Sequence, residues 1–272
     1  MGQPILRPNF TKNIHQHYIQ KGKSLNVFGA KGVGKSRFVE DLKLLIDNET
    51  HVITLNMRSL RTDYSKFIKR LEEELHIKDG FNRVELVLEK FARKKGQKIL
   101  VLEQFESLFE LNHDEKFDFE FFEQLNSFKN REDVILLILS THNYKHEPFY
   151  KNGELTTSPL DITYIEEITP LMQKEIKDEL ERNISKSLGF EMLASLIVGK
   201  RSYMLLQFII EKLAMDKYDD NKSLWINVDI WDKEFNEIHG MPLNVKARKS
   251  YQKLNIKSVF LAIGEFIGKV KG

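Results

Sequence analysis

The sequence predicts an α/β fold with a parallel β-sheet, followed by a helical region. Through the first 168 residues, apolar runs of strand length alternate with segments of helical spacing, which is typical of parallel strands joined by helices. A glycine-rich stretch follows the first apolar run directly and leads into a helix. Beyond residue 168 the apolar residues keep helical spacing. We therefore expect an α/β domain at 1–168, a helical domain at 169–240 and a basic extension at 241–272.

Composition narrows the classes to which the protein can belong. The 272 residues include no cysteine, which excludes disulfides and thiolate metal sites. The first ten residues lack the basic start and apolar core of a secretory signal, and no apolar run has the length of a membrane span. We therefore expect a cytoplasmic protein without a transmembrane segment.

The charge is distributed unevenly along the chain. In residues 241–272 seven basic side chains face one acidic side chain, a net charge of +6, so the first 240 residues hold −4 of the total of +2. Attraction to a polyanion is therefore expected at the C-terminal end. Three roles stay open for this extension: packing on the helical domain, docking of a partner or a second copy, and contact with nucleic acid or a membrane surface.

The stretch that organises the chain is residues 29–36, which match the pattern G-x-x-x-x-G-K-[ST]. Glycines at this spacing let backbone N–H groups surround the β- and γ-phosphates of a nucleotide, and the following helix presents its positive N-terminus. Lys35 would neutralise phosphate charge and the Ser36 hydroxyl would bind Mg²⁺. The sequence therefore predicts a site for ATP and Mg²⁺. Its candidate nucleotide contacts are Gly29, Lys31, Gly32, Val33, Gly34, Lys35, Ser36 and Arg37.

The remaining elements follow from apolar spacing. Strands are expected at 25–28, 51–55, 98–105, 134–139 and 163–168. Helices are expected at 10–20, 63–76, 82–94 and 117–128. The five phenylalanines of the last helix are interpreted as core residues, with a partner-binding face as the alternative. Residues 143–160 are expected to form a long loop, and Thr169-Pro170 is typical of a helix start.

The third predicted strand ends in acidic chemistry. In most ATPases with such a loop, this strand ends in one carboxylate that holds Mg²⁺ through water and another that activates the attacking water. Glu103 can reach the water shell of Mg²⁺, whereas the amide of Gln104 cannot accept a proton. Glu106 is the next carboxylate available. We therefore expect Glu103, Gln104 and Glu106 to form the catalytic edge, with slow hydrolysis; the alternative is an ordinary acidic strand end.

The segment VLEQFESLFEL, residues 101–111, resembles the DQFEELF-type Walker B segment of the novel STAND branch of P-loop NTPases. These proteins are relatives of AAA+ proteins and act as nucleotide-controlled switches. The resemblance covers roughly residues 6–217 and departs at Glu103, where that family has Asp. It implies a three-layer P-loop NTPase domain with strand order 5-1-4-3-2, followed by a helical lid.

The same resemblance assigns further residues to the nucleotide. Polar residues follow strand 134–139 where sensor 1 of AAA+ and STAND proteins contacts the γ-phosphate, which makes Thr141 and Asn143 candidates. The sequence Gly199-Lys200-Arg201 is similar to the G-x-R of sensor 2, from which Arg201 would reach the phosphates. The alternatives are a simple strand end and a solvated basic turn. Arg131 and Arg182 are the arginines available for a finger.

Together these features predict a nucleotide-dependent switch that binds ATP and Mg²⁺ and hydrolyses ATP slowly. An oligomer or a partner protein would respond to movement of the lid, for example in a bacterial defence or signalling system. The alternative function is a DNA-associated AAA+ ATPase of the type that regulates transposition, with nucleic acid bound through the basic extension. A metabolic kinase is disfavoured, because no carboxylate-rich acceptor site accompanies the loop.

Overall fold

Five parallel strands form the central sheet in this computed structural model, which describes residues 5–110, 112–144, 149–151, 154–183, 193–194, 197, 202–215 and 221–239. The sheet strands are β1 (Leu25–Phe28), β2 (His51–Asn56), β3 (Lys98–Glu103), β4 (Val134–Ser140) and β7 (Tyr164–Glu167). Their order across the sheet is β2-β3-β4-β1-β7, and every pair is parallel. Since β7 is the fifth strand of the sheet, this is the predicted order 5-1-4-3-2 in reverse.

Helices connect the strands and continue after them. The described α-helices of the sheet region are α1 (Pro8–His17), α2 (Lys35–Lys43), α3 (Met57–Leu60), α4 (Tyr64–Leu75), α5 (Val84–Ala92) and α6 (Phe119–Lys129). Those that follow it are α7 (Gln173–Asn183), α8 (Tyr203–Met215) and α9 (Asn221–His239). None of the described helices combines the length and the apolar composition that a membrane span requires.

Side chains of the central strands alternate between two cores, one on each face of the sheet. Leu100 and Leu102 of β3 face a core shared with α4, α5 and α6, whereas Ile99 and Val101 face a core shared with α1 and α2. The residues of β4 divide in the same way. The domain therefore has the predicted three layers, and burial on both faces explains why β3 and β4 are continuous apolar runs.

The phenylalanines around α6 are core residues, as predicted. Four of them, Phe117, Phe121, Phe122 and Phe128, are at most 2% exposed, and Phe119 is partly buried against the same core. Phe117 and Phe121 pack edge to face with ring centroids 5.0 Å apart. This aromatic core lies beside the end of β3 and supports the site described below.

The segment predicted as a long loop contains a small antiparallel hairpin, β5 (Phe149–Lys151) with β6 (Glu154–Thr156). Tyr144 closes its base, because the buried Tyr144 hydroxyl donates to Leu160 O at 2.8 Å and accepts from Ile162 N at 3.1 Å. Strands of three residues leave no alternating apolar pattern, which is why the sequence predicted a loop here.

The helix after β7 begins later than the sequence predicted. Residues 169–172 are not helical, and α7 starts at Gln173. Met172 occupies the capping position, because its carbonyl accepts from Ile176 N and its N–H donates to the Glu175 carboxylate at 2.8 Å. A glutamate three residues after the cap forms half of a capping box. Glu175 therefore sets the start of α7 at Gln173, and Thr169 and Pro170 precede the helix.

The chain divides into two compact units, Met1–Thr169 and Pro170–Gly272. In the described part of the second unit, α7 and α9 each pack against α8. Rings of Phe208 and Phe235 lie 5.4 Å apart, and Lys212 Nζ lies 2.7 Å from Glu234 Oε1. The predicted lid boundary at 240 and the basic extension at 241–272 lie at or outside the end of the described residues.

Candidate nucleotide-binding site

The glycine-rich stretch connects β1 to α2 at the carboxyl edge of the sheet. Gly32 and Gly34 have φ values of +81° and +97°, a conformation that glycine adopts without steric cost. Gly34 occupies the capping position of α2 without a side-chain cap. The first N–H groups of α2 are therefore directed toward the loop, where a helix N-terminus favours an anion.

Gly29 begins the loop where two strands approach closely. A Cβ at this position would lie 2.6 Å from Ile168 Cγ2 and 2.8 Å from Ile168 O, so no larger residue fits without displacement. Its N–H donates to Ser140 O at 3.1 Å. The loop is thereby fixed between the end of β4 and the residue that follows β7.

Lys35, the predicted phosphate contact, lies against the loop. Its Nζ donates to Gly29 O at 2.5 Å and to Ala30 O at 3.1 Å, so the side chain folds back over the loop. Burial lowers the pKa of Lys35, while the nearby carboxylates of Glu106 and, more weakly, Glu103 act to raise it. The structure therefore brings together Lys35 and two of the predicted catalytic residues.

The end of β3 turns sharply after Glu103. The sequence predicted strand through Phe105, but Gln104 has φ +53° and ψ +42°, and a short 3₁₀ helix spans Phe105–Phe109. Phe105 is fully buried, and its ring packs edge to face on Phe122 and Tyr144. The strand prediction was wrong by two residues, because burial of Phe105 in the aromatic core overrides the extended conformation.

The turn leaves two buried polar atoms at this edge. Gln104 Oε1 and Glu106 Oε2 are buried and have no hydrogen-bond partner within the described residues. Burying an oxygen without a partner is costly, more so for a carboxylate. These two oxygens could therefore accept hydrogen bonds from a polar ligand or from the water shell of a cation.

The end of β4 is fixed to the same loop. Ser140 is fully buried, and its hydroxyl donates to His142 O at 2.6 Å. Thr141 Oγ1 lies 3.0 Å from His142 Nδ1, and Asn143 follows in the same partly exposed turn. Thr141 and Asn143 thus lie just beyond the strand end that hydrogen-bonds Gly29, which is the region predicted for sensor 1.

The other predicted residues differ in where the structure places them. The Arg37 guanidinium is buried and its Nε donates to Asp41 Oδ1 at 2.7 Å, so it stabilises α2 rather than pointing from the loop. Lys31 and Ser36 are exposed on the loop and on the first turn of α2. Arg201 lies outside the described residues, directly before Ser202, whose hydroxyl accepts from Leu205 N and caps α8. Arg131 and Arg182 each pair with a glutamate, Glu89 and Glu179.

Sequence reasoning missed Arg7. This arginine is 4% exposed, and its Nη2 donates to Val33 O at 2.7 Å and to Thr169 O at 3.3 Å. It joins the phosphate loop to the last residue of the first unit. No local pattern indicates this role, because the two contacts span 26 and 162 residues of sequence.

The predicted Mg²⁺ ligands were Ser36 and Glu103. No group of three or more histidine, aspartate or glutamate side chains that could hold a metal occurs within the described part of the chain. Mg²⁺ commonly uses one or two protein oxygens together with substrate phosphates and water. An Mg²⁺ ion at Ser36 and Glu103 would therefore take its other ligands from the nucleotide and from water.

Comparison with known proteins agrees with this geometry. Residues 25–149 match the family of ATPases associated with various cellular activities (AAA). The first unit has the fold of an AAA+ P-loop NTPase domain. The matched segment contains the loop, the end of β3 and the end of β4. The predicted STAND branch stays a prediction, and no curated protein matches this chain in sequence.

Solved structures with this fold share little sequence with the chain. The Orc1 protein of Aeropyrum pernix, in complex with DNA, is 14% identical with a TM-score of 0.57, covering 89% of this chain and 69% of that chain. A Walker-type ATPase of Pyrococcus abyssi is 13% identical with a TM-score of 0.60, covering 93% and 76%. Domain III of the replication initiation protein DnaA from Thermotoga maritima is 16% identical with a TM-score of 0.51, covering 90% of each. At these identities the likeness concerns the fold.

Proposed function

We propose that the chain binds ATP with Mg²⁺ at the phosphate loop and hydrolyses it slowly, as a DNA-associated, nucleotide-controlled ATPase. The observation that supports ATP binding best is the loop geometry, in which Gly32 and Gly34 have positive φ, Gly34 caps α2 and the Lys35 ammonium lies over the loop carbonyls. A triphosphate requires a cation for its charge and carboxylates for its metal and its attacking water. The AAA+ fold of this unit supports the same ligand.

Binding would use the loop backbone and three side chains. The N–H groups around Gly32 and Gly34 would surround the phosphates, and Lys35 would exchange its contacts with Gly29 O and Ala30 O for phosphate oxygens. The hydroxyl of Ser36 and the carboxylate of Glu103 would hold Mg²⁺. The ion, when bound, neutralises charge that develops on the β- and γ-phosphates.

Hydrolysis would depend on Glu106. Gln104 occupies the position expected for the base, and its amide cannot accept a proton. The Glu106 carboxylate acts to raise the pKa of Lys35, and its Oε2 is buried without a hydrogen-bond partner in the described structure. Glu106 would accept a proton from the water that attacks the γ-phosphorus, as the bond to the ADP oxygen breaks. A base displaced from its expected position leads us to expect turnover well below an ordinary enzyme rate of about 10 s⁻¹.

The association with DNA is the finer part of the proposal. Among solved structures with this fold are an Orc1 protein in complex with DNA and a domain of a replication initiation protein. They favour the DNA-associated interpretation over a switch in defence or signalling. The net charge of +6 in residues 241–272 gives a polyanion a place to bind. The helical unit would act as a lid with Arg201 as its cation, and an oligomer or a protein partner in the cytoplasm would respond to it.

The test is two titrations of the full chain, one with a fluorescent ATP analogue and one with a fluorescent DNA duplex. Fluorescence anisotropy measures binding in both. We expect nucleotide binding that requires the phosphate loop, and DNA binding that weakens steeply with salt. A chain that binds no nucleotide would refute the proposal, whereas nucleotide binding without DNA binding at low salt would remove only the association with DNA.

A matched pair of variants locates the DNA contact. The first replaces Lys246, Arg248, Lys249 and Lys253 of the extension by glutamine. The control replaces four exposed lysines of the first unit, Lys12, Lys66, Lys69 and Lys95. Both variants lose four positive charges, so only a contact at the extension makes the first lose more DNA affinity than the second.

A further inference from the structure

Asn26 is a polar exception in the middle of the sheet. It lies in β1 between Leu25 and Val27, and all three residues are fully buried. Its neighbours on β4 and β7, in register, are Ile138 and Ile165. Asn26 Oδ1 is buried without a hydrogen-bond partner in the described structure. Since an apolar residue of the same shape would avoid that cost, stability alone does not account for the asparagine.

The amide of Asn26 is directed at the end of β4. Its Nδ2 donates to Ile138 O at 3.2 Å and to Ser140 Oγ at 2.9 Å. Ser140 Oγ donates in turn to His142 O at 2.6 Å, which fixes the chain just after the strand. A single side chain in β1 thus sets the path of the segment that contains Thr141 and Asn143.

A backbone hydrogen bond connects Ser140 to the phosphate loop. Ser140 O accepts from the N–H of Gly29, the first loop residue, at 3.1 Å. Asn26 lies in β1 and Gly29 directly follows that strand, so both ends of the connection lie within four consecutive residues. The phosphate loop and the segment 141–143 are therefore held at a fixed separation by a buried polar network.

We propose that Asn26 and Ser140 are positioning residues that make this site distinguish ATP from ADP. This inference rests on the proposed ATP binding. The segment 141–143 can contact the γ-phosphate of a nucleotide only if its separation from the loop is fixed, because polar contacts weaken steeply with displacement. The network sets that separation without touching the nucleotide. ADP, which lacks the γ-phosphate, would not depend on it.

The test compares the affinities of a non-hydrolysable ATP analogue and of ADP in the full chain. Asn26→Leu removes the two donated hydrogen bonds together with the unpaired oxygen, and Ser140→Ala removes the hydroxyl. We expect each variant to bind the ATP analogue about tenfold more weakly, which is about 1.4 kcal/mol, with ADP affinity changed less than about twofold. Melting temperature is measured alongside, because a purely structural role would lower stability and weaken both nucleotides together.

Two further variants keep the test decisive. Ser140→Thr retains the hydroxyl and should restore discrimination, even if Ser140→Ala folds poorly. Thr11→Val removes another buried hydroxyl, on α1 and outside the network, and should leave the ratio of affinities unchanged. A wild-type chain that binds ATP and ADP equally, or variants that keep the wild-type ratio, would overturn the inference. A wild-type chain that binds neither nucleotide would refute the proposed function itself.

Discussion

The phosphate loop and the end of β3 belong to the same candidate nucleotide site but reach their conformations by different means. In the loop, Gly32 and Gly34 adopt positive φ at no steric cost. At the end of β3, Gln104 adopts positive φ with a side chain, which costs about 1–2 kcal/mol. Burial of Phe105 in the aromatic core maintains this turn. Local sequence therefore determines the loop, whereas tertiary packing determines where the carboxylates lie.

This difference has a consequence for function. Glycine determines the loop conformation locally. The loop should therefore bind phosphate even in variants whose core packing is weakened. A turn maintained by packing depends on the surrounding core, here the rings of Phe122 and Tyr144 that hold Phe105. We therefore expect ATP binding and ATP hydrolysis to respond to different substitutions.

The largest effect is expected for Lys35→Ala. This variant removes the ammonium that is proposed to contact the phosphates, and the affinity for ATP should fall about 100-fold or more, since truncating one partner of a buried charge pair costs about 2–5 kcal/mol. Isothermal titration calorimetry of the full chain with Mg²⁺ and an ATP analogue measures it. Lys12→Ala is the matched control, because Lys12 is an exposed lysine on α1, outside the loop. Equal losses in both variants would mean that general charge, not the motif lysine, governs binding.

An intermediate effect is expected for Gln104→Gly. Glycine relieves the strained φ, so the free energy of unfolding should rise by up to about 1 kcal/mol, in part offset by greater freedom of the unfolded chain. Urea denaturation measures the change. Gln124→Gly in the interior of α6 is the control and should lower stability by about 1 kcal/mol. A loss of stability in Gln104→Gly would show that its side chain, rather than the core behind Phe105, maintains the turn.

The smallest effect concerns pH at Asp114. Hydrogen bonds from the N–H groups of Tyr64 and Lys116 lower the pKa of the Asp114 carboxyl below its ordinary value of 3.8. Because the folded-state pKa lies below that of the unfolded chain, the stabilisation is complete above pH 3.8 and is lost as the pH falls through the lower, folded-state value. As the pH falls, hydrogen exchange should therefore show that the first residues of α4 lose protection before the phosphate loop does. In Asp114→Asn this difference between the two regions should no longer depend on pH in the acid range.

Much of this architecture could be predicted from the sequence, because it depends on local rules. The alternation of strands with helices indicated the parallel sheet, and the resemblance to P-loop NTPases implied its strand order and its three layers. The position of Lys35 near Glu103 and Glu106 was also expected, since the carboxyl ends of parallel strands meet at one edge.

The features that sequence reasoning missed depend on distant residues. The end of β3 at Glu103 depends on the partners of Phe105, which include Phe122 and Tyr144. The contact of Asn26 with Ser140 spans 114 residues, and that of Arg7 with Val33 spans 26. Such contacts leave no periodic or local pattern, so an isolated Asn in an apolar strand or an Arg before a proline gives no sign of its partner.

The most direct test of this account is single-turnover hydrolysis of ATP by the wild-type chain and by Glu106→Gln. We expect slow hydrolysis in the wild type and a rate about 100-fold lower in the variant, the usual range for loss of a general base, with ATP affinity changed less than about threefold. Glu110→Gln, at an exposed carboxylate of the same segment, should hydrolyse at the wild-type rate. Hydrolysis by Glu106→Gln at the wild-type rate would contradict the assignment, as would a wild-type chain that binds ATP and never cleaves it.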